Sequence, residues 1–432
     1  MDEKKSTVSL ALRKTPFKRL TASILIGEFG LYLVLLTPVQ LLITLKLTEI
    51  APKSISTDFG IISGIGALFA MAGGPIGGIL SDRTKLKFGR RRTWIAIGII
   101  VGSISVFTIG LTSSVLLMGI LWCLAQLFFN FSIAAFSALL PEQVDEGKRG
   151  SISGFMGLLI PFGPVIGMGV VSLMGAATLW IKFLVISLIG IITMFISIIL
   201  LIDDNIIPSK RKQVIIKKGM QISKIYPSPR KYPIYTWGLL TKFFQSLCTA
   251  AIVYNSVMLV ERFHYSSEQT ATKTTLLSVT MMLFMAISAI GGGIISDKIR
   301  KQKPFVIASA IICGVALGII AFAPTFTFVL LGMACIGFGS GMYSAVDQAL
   351  MSRILPVKED YAKDLGVVNA FGSSTQSIVP LIAPSLISLG SWPMLYGVLS
   401  IAGAISAACV VPIPELSSKA PPSNQSKIEL TS

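Results

Sequence analysis

Twelve long apolar stretches, separated by short polar connections, limit what this chain can fold into. Each is about 20 residues long, and an α-helix of that length, rising about 1.5 Å per residue, crosses about 30 Å of membrane hydrocarbon. The sequence therefore predicts an all-α integral membrane protein with twelve transmembrane helices. The expected spans are residues 20–45, 58–80, 93–112, 114–139, 151–173, 178–202, 233–260, 272–295, 305–323, 326–351, 364–389 and 393–412.

The composition agrees with a polytopic membrane protein and accounts for the positive charge. Hydrophobic residues make up 53% of the 432-residue chain and charged residues 13%, and the mean hydropathy is +0.78. All but six of the 37 lysines and arginines fall before the first span, in even-numbered connections or in the tail. This asymmetry follows the positive-inside rule, so no nucleic-acid partner is needed to explain the net charge of +17. We predict a multi-pass protein of the cell membrane with both termini in the cytoplasm.

A basic hairpin between apolar spans occurs twice, at residues 73–92 and 291–303. Asp82 and Asp297 lie 215 residues apart, and a Leu-Leu-Pro sequence ending at Pro141 recurs as Ile-Leu-Pro with the same offset. The chain therefore consists of two copies of a six-span unit, as in secondary transporters built from structural repeats. The expected domains are a cytoplasmic segment 1–19, a six-helix bundle 20–202, a cytoplasmic linker 203–232, a second bundle 233–412 and a cytoplasmic tail 413–432.

The first hairpin carries a specific resemblance. Its sequence GGILSDRTKLKFGRRR, residues 77–92, resembles the loop between spans 2 and 3 of the major facilitator superfamily. The stretch RTKLKFGRRRTW is most similar to the sugar-cation symporter branch and to the sucrose-type carriers related to it. LTPVQLL in span 1, ALLPEQVDEGKRGSISG, SAVDQALMSRILP and KDLGVVN give weaker support. The resemblance implies two pseudo-symmetric six-helix bundles around a central cavity lined by spans 1, 4, 7 and 10.

The hairpin is predicted to be a cytoplasmic gate. A glycine-rich helix end lets another helix approach, a carboxylate suits a helix N-terminus in the opposite half, and arginines pair with acidic groups or anionic lipid. The resemblance also implies a latch that closes in one conformation and breaks in the other. The alternative is a loop that only sets membrane topology. The predicted gate residues are Gly78, Asp82, Arg83, Gly89, Arg90, Arg91 and, from the second copy, Asp297.

Ionisable residues inside apolar spans are costly and mark functional candidates. Glu28 in span 1 and Lys242 in span 7 are near-equivalents in the two repeats, 214 residues apart. In the fold that the resemblance implies, they can face each other across the cavity, where the protonation of Glu28 would control the pair. A permanent ion pair and the absence of any contact are the alternatives. Asp347 in span 10 is a second protonation candidate, or a gate contact to Arg353 or to the hairpin arginines.

Polar residues at helical spacing are candidates for substrate binding. Amide, hydroxyl and phenol groups exchange hydrogen bonds with sugar hydroxyls, which favours a neutral polyhydroxylated solute. The alternative is that these side chains only bridge neighbouring helices. The candidates are Tyr32, Gln126, Asn130, Gln245, Ser344, Asn369 and Gln376.

These observations predict an alternating-access carrier that moves a small organic solute, a sugar or glycoside, in symport with a proton. Sodium is an alternative coupling ion, and membrane lipids are expected partners of a functional monomer. A proton-driven exporter is the closest rival, since residues 160–169 of span 5 resemble the Gly-Pro-rich kink of such proteins. A non-transporting receptor or assembly factor is the rival from another class. An enzyme, a cofactor and a metal are not expected, because we find no nucleophile with its base, no phosphate loop and no closely spaced cysteines.

Overall fold

The computed structural model of the protein describes residues 15–203, 232–299, 302–354 and 361–414. These parts of the chain are helical, and their elements follow the predicted spans closely. The predicted linker and tail, and most of the N-terminal segment, lie outside the described residues. The helices are α1 Phe17–Ile50, α2 Ile55–Arg83, α3 Arg90–Leu111, α4 Val115–Gln143, α5 Glu146–Leu173, α6 Leu179–Leu200, α7 Pro233–Glu261, α8 Ser267–Ile299, α9 Lys303–Ala321, α10 Phe326–Ile354, α11 361–389 and α12 392–410.

The last two helices form one unusually long element. Tyr361–Val410 is continuous by hydrogen bonding, but Gly390 and Ser391 leave helical dihedral angles between its two parts. Its 50 residues would extend about 75 Å as a straight helix, which is more than twice the hydrocarbon thickness. Within the described residues, eleven helical segments are long and apolar enough to span a membrane, and this one supplies two crossings. The prediction of twelve transmembrane helices is confirmed.

The two halves of the chain, residues 15–203 and 232–414, pack their helices in corresponding pairs. In the N-terminal half, α4 packs against α2 and α3, and α6 packs against α1 and α3. In the C-terminal half, α10 packs against α8 and α9, while α12 packs against α7 and α9. This repetition gives two pseudo-symmetric six-helix bundles, as predicted.

The halves are joined on the side of the molecule away from the α2–α3 hairpin, which we call the far side. Thr44 and Ser256 share a hydrogen bond of 2.8 Å between their hydroxyls. The backbone N–H of Ser56 donates to Glu261 Oε1 at 2.9 Å, and the Tyr254 hydroxyl donates to the Ser56 carbonyl. In the described residues, the hydrogen bonds that cross between the halves lie on this side. The far side is therefore closed.

The hairpin side, where α2 meets α3, is open. Along one face of α2, Gly60 and Gly64 lie so close to α11 that an added Cβ would meet Pro380 and Leu381. Gly78 lies on the same face, 18 residues or about five turns from Gly60, yet among the residues that the structure describes no atom of a neighbouring helix lies within 4 Å of a Cβ built there. The two halves thus separate toward the hairpin side.

Candidate functional site

A cavity of about 490 Å³ lies near the middle of the helices, between the two halves. It sits below the far-side contacts, in the region where α1 and α5 of one half face α7, α8, α10 and α11 of the other. Its volume falls in the range that small-molecule sites occupy. Its lining residues are Leu36, Val39, Gln40, Ile160, Pro161, Pro164, Val165, Gln245, Ser246, Thr249, Ala250, Ile252, Val253, Ser278, Met281, Met282, Met285, Ser340, Tyr343, Ser344 and Gln376.

Some of the predicted substrate-binding residues line this cavity. Gln245, Ser344 and Gln376 do so, and the Oε1 atom of Gln245 is buried without a hydrogen-bond partner in the described residues. Two lining residues that were not among the predicted set, Gln40 and Tyr343, also present polar groups. Gln40 lies in the LTPVQLL stretch, where a lone amide among apolar residues is the signal that marks it.

Other predicted residues lie elsewhere. The Asn130 amide donates to the backbone carbonyl of Gln126 one turn earlier. Asn130 also packs against α2, where a Cβ added at Gly73 would lie 2.8 Å from the Asn130 Cβ. Tyr32 contacts α5 near Gly163. Four predicted residues are therefore not part of the cavity lining: Tyr32, Gln126, Asn130 and Asn369, the last of which accepts a hydrogen bond from Lys242.

Lys242 forms an ion pair inside the C-terminal half. Its Nζ lies 2.8 Å from Asp347 Oδ2 and donates to Asn369 Oδ1 at 3.1 Å. The side chains of Lys242 and Asp347 are only 17% and 12% exposed. Of the alternatives left open by the sequence, a Lys242 pair with Glu28 is wrong in this conformation, because α10 and α11 bring their polar groups to Lys242 instead.

Glu28 is buried without a counter-ion in the described residues. The residue is 2% exposed, and its Oε2 atom has no hydrogen-bond partner there. It lies on α1 one turn before Tyr32, with which it interacts electrostatically. The adjacent Gly27 packs against Phe136 of α4 and Ser197 of α6. An ionised carboxylate at this place would be a desolvated charge without compensation, which favours a carboxyl group that carries a proton in this conformation.

Arg91 is the centre of a polar cluster at the hairpin. Its guanidinium pairs with Asp82 at 2.5 Å and also contacts Glu142 and the Ser81 hydroxyl. Arg90 pairs with the same Glu142 at 2.8 Å. The cluster therefore ties α2, α3 and α4 together in the N-terminal half. The partner of Asp82 is an arginine of its own hairpin, and not a helix end of the opposite half as the latch prediction expected for the closed gate.

Gly89 and Asp203 fix the start of α3. Gly89 has φ +106°, and a Cβ there would lie 2.5 Å from Asp203 Oδ2. Asp203 Oδ2 accepts hydrogen bonds from the backbone N–H groups of Arg91 at 2.6 Å and Arg92 at 3.0 Å. Burial raises the pKa of Asp203, and the two backbone hydrogen bonds oppose that rise. Glu142 and Asp203 were not predicted as hairpin residues.

Two further predicted gate residues, Arg83 and Gly78, show no contact with the opposite half within the part of the chain that the structure describes. Arg83 is exposed, and no described atom of a neighbouring helix lies near a Cβ built at Gly78. Asp297 falls in α8, but its side chain lies outside the described residues. The gate residues are thus seen in a conformation in which the hairpin side is open.

Comparisons with known proteins agree with this architecture. A family model described as Major Facilitator Superfamily matches residues 21–359 and, in a second match, 270–431. The crystal structure of a D-xylose-proton symporter aligns with TM-score 0.71 at 16% identity, covering 91% of this chain and 98% of that chain. A mutant of the nucleoside transporter NupG aligns with TM-score 0.70 at 11% identity, covering 91% and 99%. Among curated protein sequences there is no significant match. Structural likeness at these identities establishes the fold.

Proposed function

Because this chain belongs to the major facilitator superfamily, a family of multi-pass membrane transporters and not of enzymes, we propose that it is a symporter that couples a small neutral polyhydroxylated solute to a proton. The observation that carries this proposal is the cavity between the two halves, closed on the far side, with the Lys242–Asp347 pair one helical turn from its lining residues Ser246 and Tyr343. A site between two bundles that can rock against each other is what alternating access requires. The sugar-cation symporter branch, which the hairpin resembles, supplies the choice of a sugar or glycoside.

The cavity chemistry favours an uncharged solute. Its polar lining consists of amides and hydroxyls, among them Gln245, Thr249, Ser344 and Gln376. The cation nearest to this lining along α7 is Lys242, whose charge is balanced by Asp347 at 2.8 Å. An anionic or cationic solute would have to break that pair or remain without compensation. A solute with neutral hydroxyl groups brings no charge into the cavity, so the Lys242–Asp347 pair can stay intact.

Glu28 is the proposed proton site. It is a buried carboxyl with no counter-ion among the described residues, on the helix that also contributes Gln40 to the cavity. Such a carboxyl group holds a proton while it is buried and releases it when a conformational change exposes it to water. It can therefore carry a proton through the alternating-access cycle. Asp347 differs because Lys242 neutralises it, so we assign that pair to the rigidity of the C-terminal half.

The direction of transport follows from the proposed topology. If the basic hairpin lies in the cytoplasm, as the positive-inside pattern predicts, the structure is inward-open and an inward proton gradient drives uptake. In the outward-open state, α2 and α11 would then close around Gly78, with Asp82 taking a partner in the opposite half.

A proton-driven exporter of drugs or metabolites is the second candidate, and α5 gives it specific support. Pro161 and Pro164 of its Gly-Pro-rich run line the cavity, and Gly167 of the same run packs against Thr37 of α1. An apolar, proline-containing wall at the cavity suits an amphipathic solute.

The test begins with a thermal-shift screen in lipid nanodiscs against sugars, glycosides and lipophilic cations, because a ligand of the native state raises its apparent stability. Hits are then taken into proteoliposomes with an imposed pH gradient. We expect a sugar or glycoside to stabilise the protein and to accumulate when the gradient is inward. Stabilisation by lipophilic cations alone favours the exporter, and a bound ligand that never crosses the membrane indicates a receptor.

Glu28→Gln tests the coupling. It should abolish accumulation against a gradient and spare counterflow exchange, since the amide mimics the protonated carboxyl but releases no proton. Glu49→Gln is the matched control, because Glu49 lies on the same helix at the far side with its side chain 59% exposed. Loss of both activities in Glu28→Gln, or of neither, would remove Glu28 from the coupling mechanism.

A further inference from the structure

The two walls of the cavity differ sharply in chemistry. The C-terminal half contributes eight polar side chains, which are Gln245, Ser246, Thr249, Ser278, Ser340, Tyr343, Ser344 and Gln376. The N-terminal half contributes seven lining residues, and six of these are aliphatic or proline. Among the lining residues that the structure describes, Gln40 is the one N-terminal side chain able to make a hydrogen bond. A polyhydroxylated solute in this cavity would therefore be held mainly by one half.

Gln40 lies where α1 departs from regular geometry. Pro38–Leu42 is a π-helical turn, with the backbone N–H of Ile43 donating to the Pro38 carbonyl five residues earlier. Short π-helical turns of this kind occur frequently at functional sites, since the extra residue re-aims side chains. Gln40 remains partly exposed toward the cavity, so its amide is available to a solute.

Gln40 also lies close to the far-side closure. Thr44, which bonds Ser256 across the halves at 2.8 Å, is one helical turn further along α1, at a rise of about 6 Å. Contact with a solute at Gln40 and contact between the halves at Thr44 are thus made by the same short segment. Opening of the far side would have to break the Thr44–Ser256 contact, and so would act on the segment that carries Gln40.

From these observations, and resting on the proposed function, we infer that Gln40 is the specificity residue through which the N-terminal half recognises one hydroxyl of the solute. In the hairpin-open conformation the solute is bound mainly by the C-terminal half. A hydrogen bond between Gln40 and one solute hydroxyl then draws α1 toward the solute. A solute that lacks the recognised hydroxyl would lose this hydrogen bond, so it would bind more weakly and would also close the N-terminal half less effectively.

The experiment uses full-length protein in proteoliposomes and the probes D-glucose, D-galactose and their methyl β-glycosides. For each probe taken up, every monodeoxy analogue is tested as a competitor. We expect one analogue to compete about fivefold more weakly than its parent in the wild type through loss of the Gln40 hydrogen bond, and about equally in Gln40→Leu. Gln376→Leu, on the opposite wall, is the matched control and should change the preference at a different hydroxyl.

A structural role of Gln40 would not produce this pattern, because general damage lowers uptake of parent and analogues alike. An unchanged deoxy profile in Gln40→Leu overturns the inference and leaves the proposed function intact. Absence of uptake of all four probes by the wild type removes the sugar-symport proposal, and the inference with it.

Discussion

Replacement of Gly89 by alanine should destabilise the hairpin by two separable effects. Its backbone, at φ +106° and ψ 147°, lies in a region that is strained for residues with a Cβ, at about 1–3 kcal/mol. The added Cβ would also lie 2.5 Å from Asp203 Oδ2 and 2.7 Å from the Asp203 carbonyl oxygen. Asp203 must then withdraw from the N-terminus of α3, and losing such a cap costs about 1 kcal/mol. Together we expect a loss of about 3 kcal/mol.

The assay is thermal unfolding of Gly89→Ala beside Gly74→Ala in the same nanodiscs. Gly74 lies in helical backbone of α2 with no atom within 4 Å of a built Cβ, so alanine there should leave the midpoint unchanged or raise it slightly, in keeping with its higher helix propensity. Equal midpoint shifts for the two variants would refute the reasoning, because they would show that neither the positive φ nor the approach to Asp203 matters.

Three further predictions concern the charged groups. In thermal unfolding, Lys242→Met should lower the free energy of unfolding by about 3 kcal/mol, because it leaves Asp347 without its cation. The double variant Lys242→Met/Asp347→Leu should recover most of that loss, and equal losses in the single and the double variant would contradict the prediction. Asp82→Asn should leave the stability almost unchanged, because Asp82 is 62% exposed and Arg91 keeps its contact with Glu142. It should slow counterflow far more than it weakens solute binding, and an unchanged turnover would count against the gate. The folded-state pKa of Asp203 is raised by burial, so its contribution to stability grows as pH falls through that pKa. Asp203→Asn should remove this part of the pH dependence of the melting midpoint, and an unaltered pH dependence would oppose it.

The sequence predicted the architecture well because the bilayer imposes it. A helix must be long and apolar to cross hydrocarbon, so the spans can be found from composition alone. The hairpin was predicted less well, because Asp82 was expected to meet a helix end of the opposite half, whereas in this conformation it pairs with Arg91, nine residues away. The other members of the cluster, Glu142 and Asp203, join Arg91 from 51 and 112 residues away. Sequence spacing carries no signal for contacts of that kind.

The cavity was harder to predict because helical periodicity shows which residues share a face of a helix, but not which neighbouring helix that face contacts. Spacing correctly grouped Lys242 with Gln245 on α7, but it could not show that Asp347 of α10 lies nearer to Lys242 than Glu28 does. The internal repeat suggested Glu28 as the partner, although equivalent positions in a repeat need not touch. The π-helical turn at Gln40 depends on local backbone hydrogen bonding, and the residues around it read as an ordinary helix.

The glycine face of α2 gives the protein a means to balance its two end states. A side chain at Gly64 would meet Leu381 in the present conformation, whereas one at Gly78 would meet α11 only after the hairpin side closes. Bulk at the two positions should therefore shift the conformational equilibrium in opposite directions, by about tenfold in population ratio for each 1.4 kcal/mol of differential crowding. The ratio of resting states can thus be tuned at sites that no solute or proton touches.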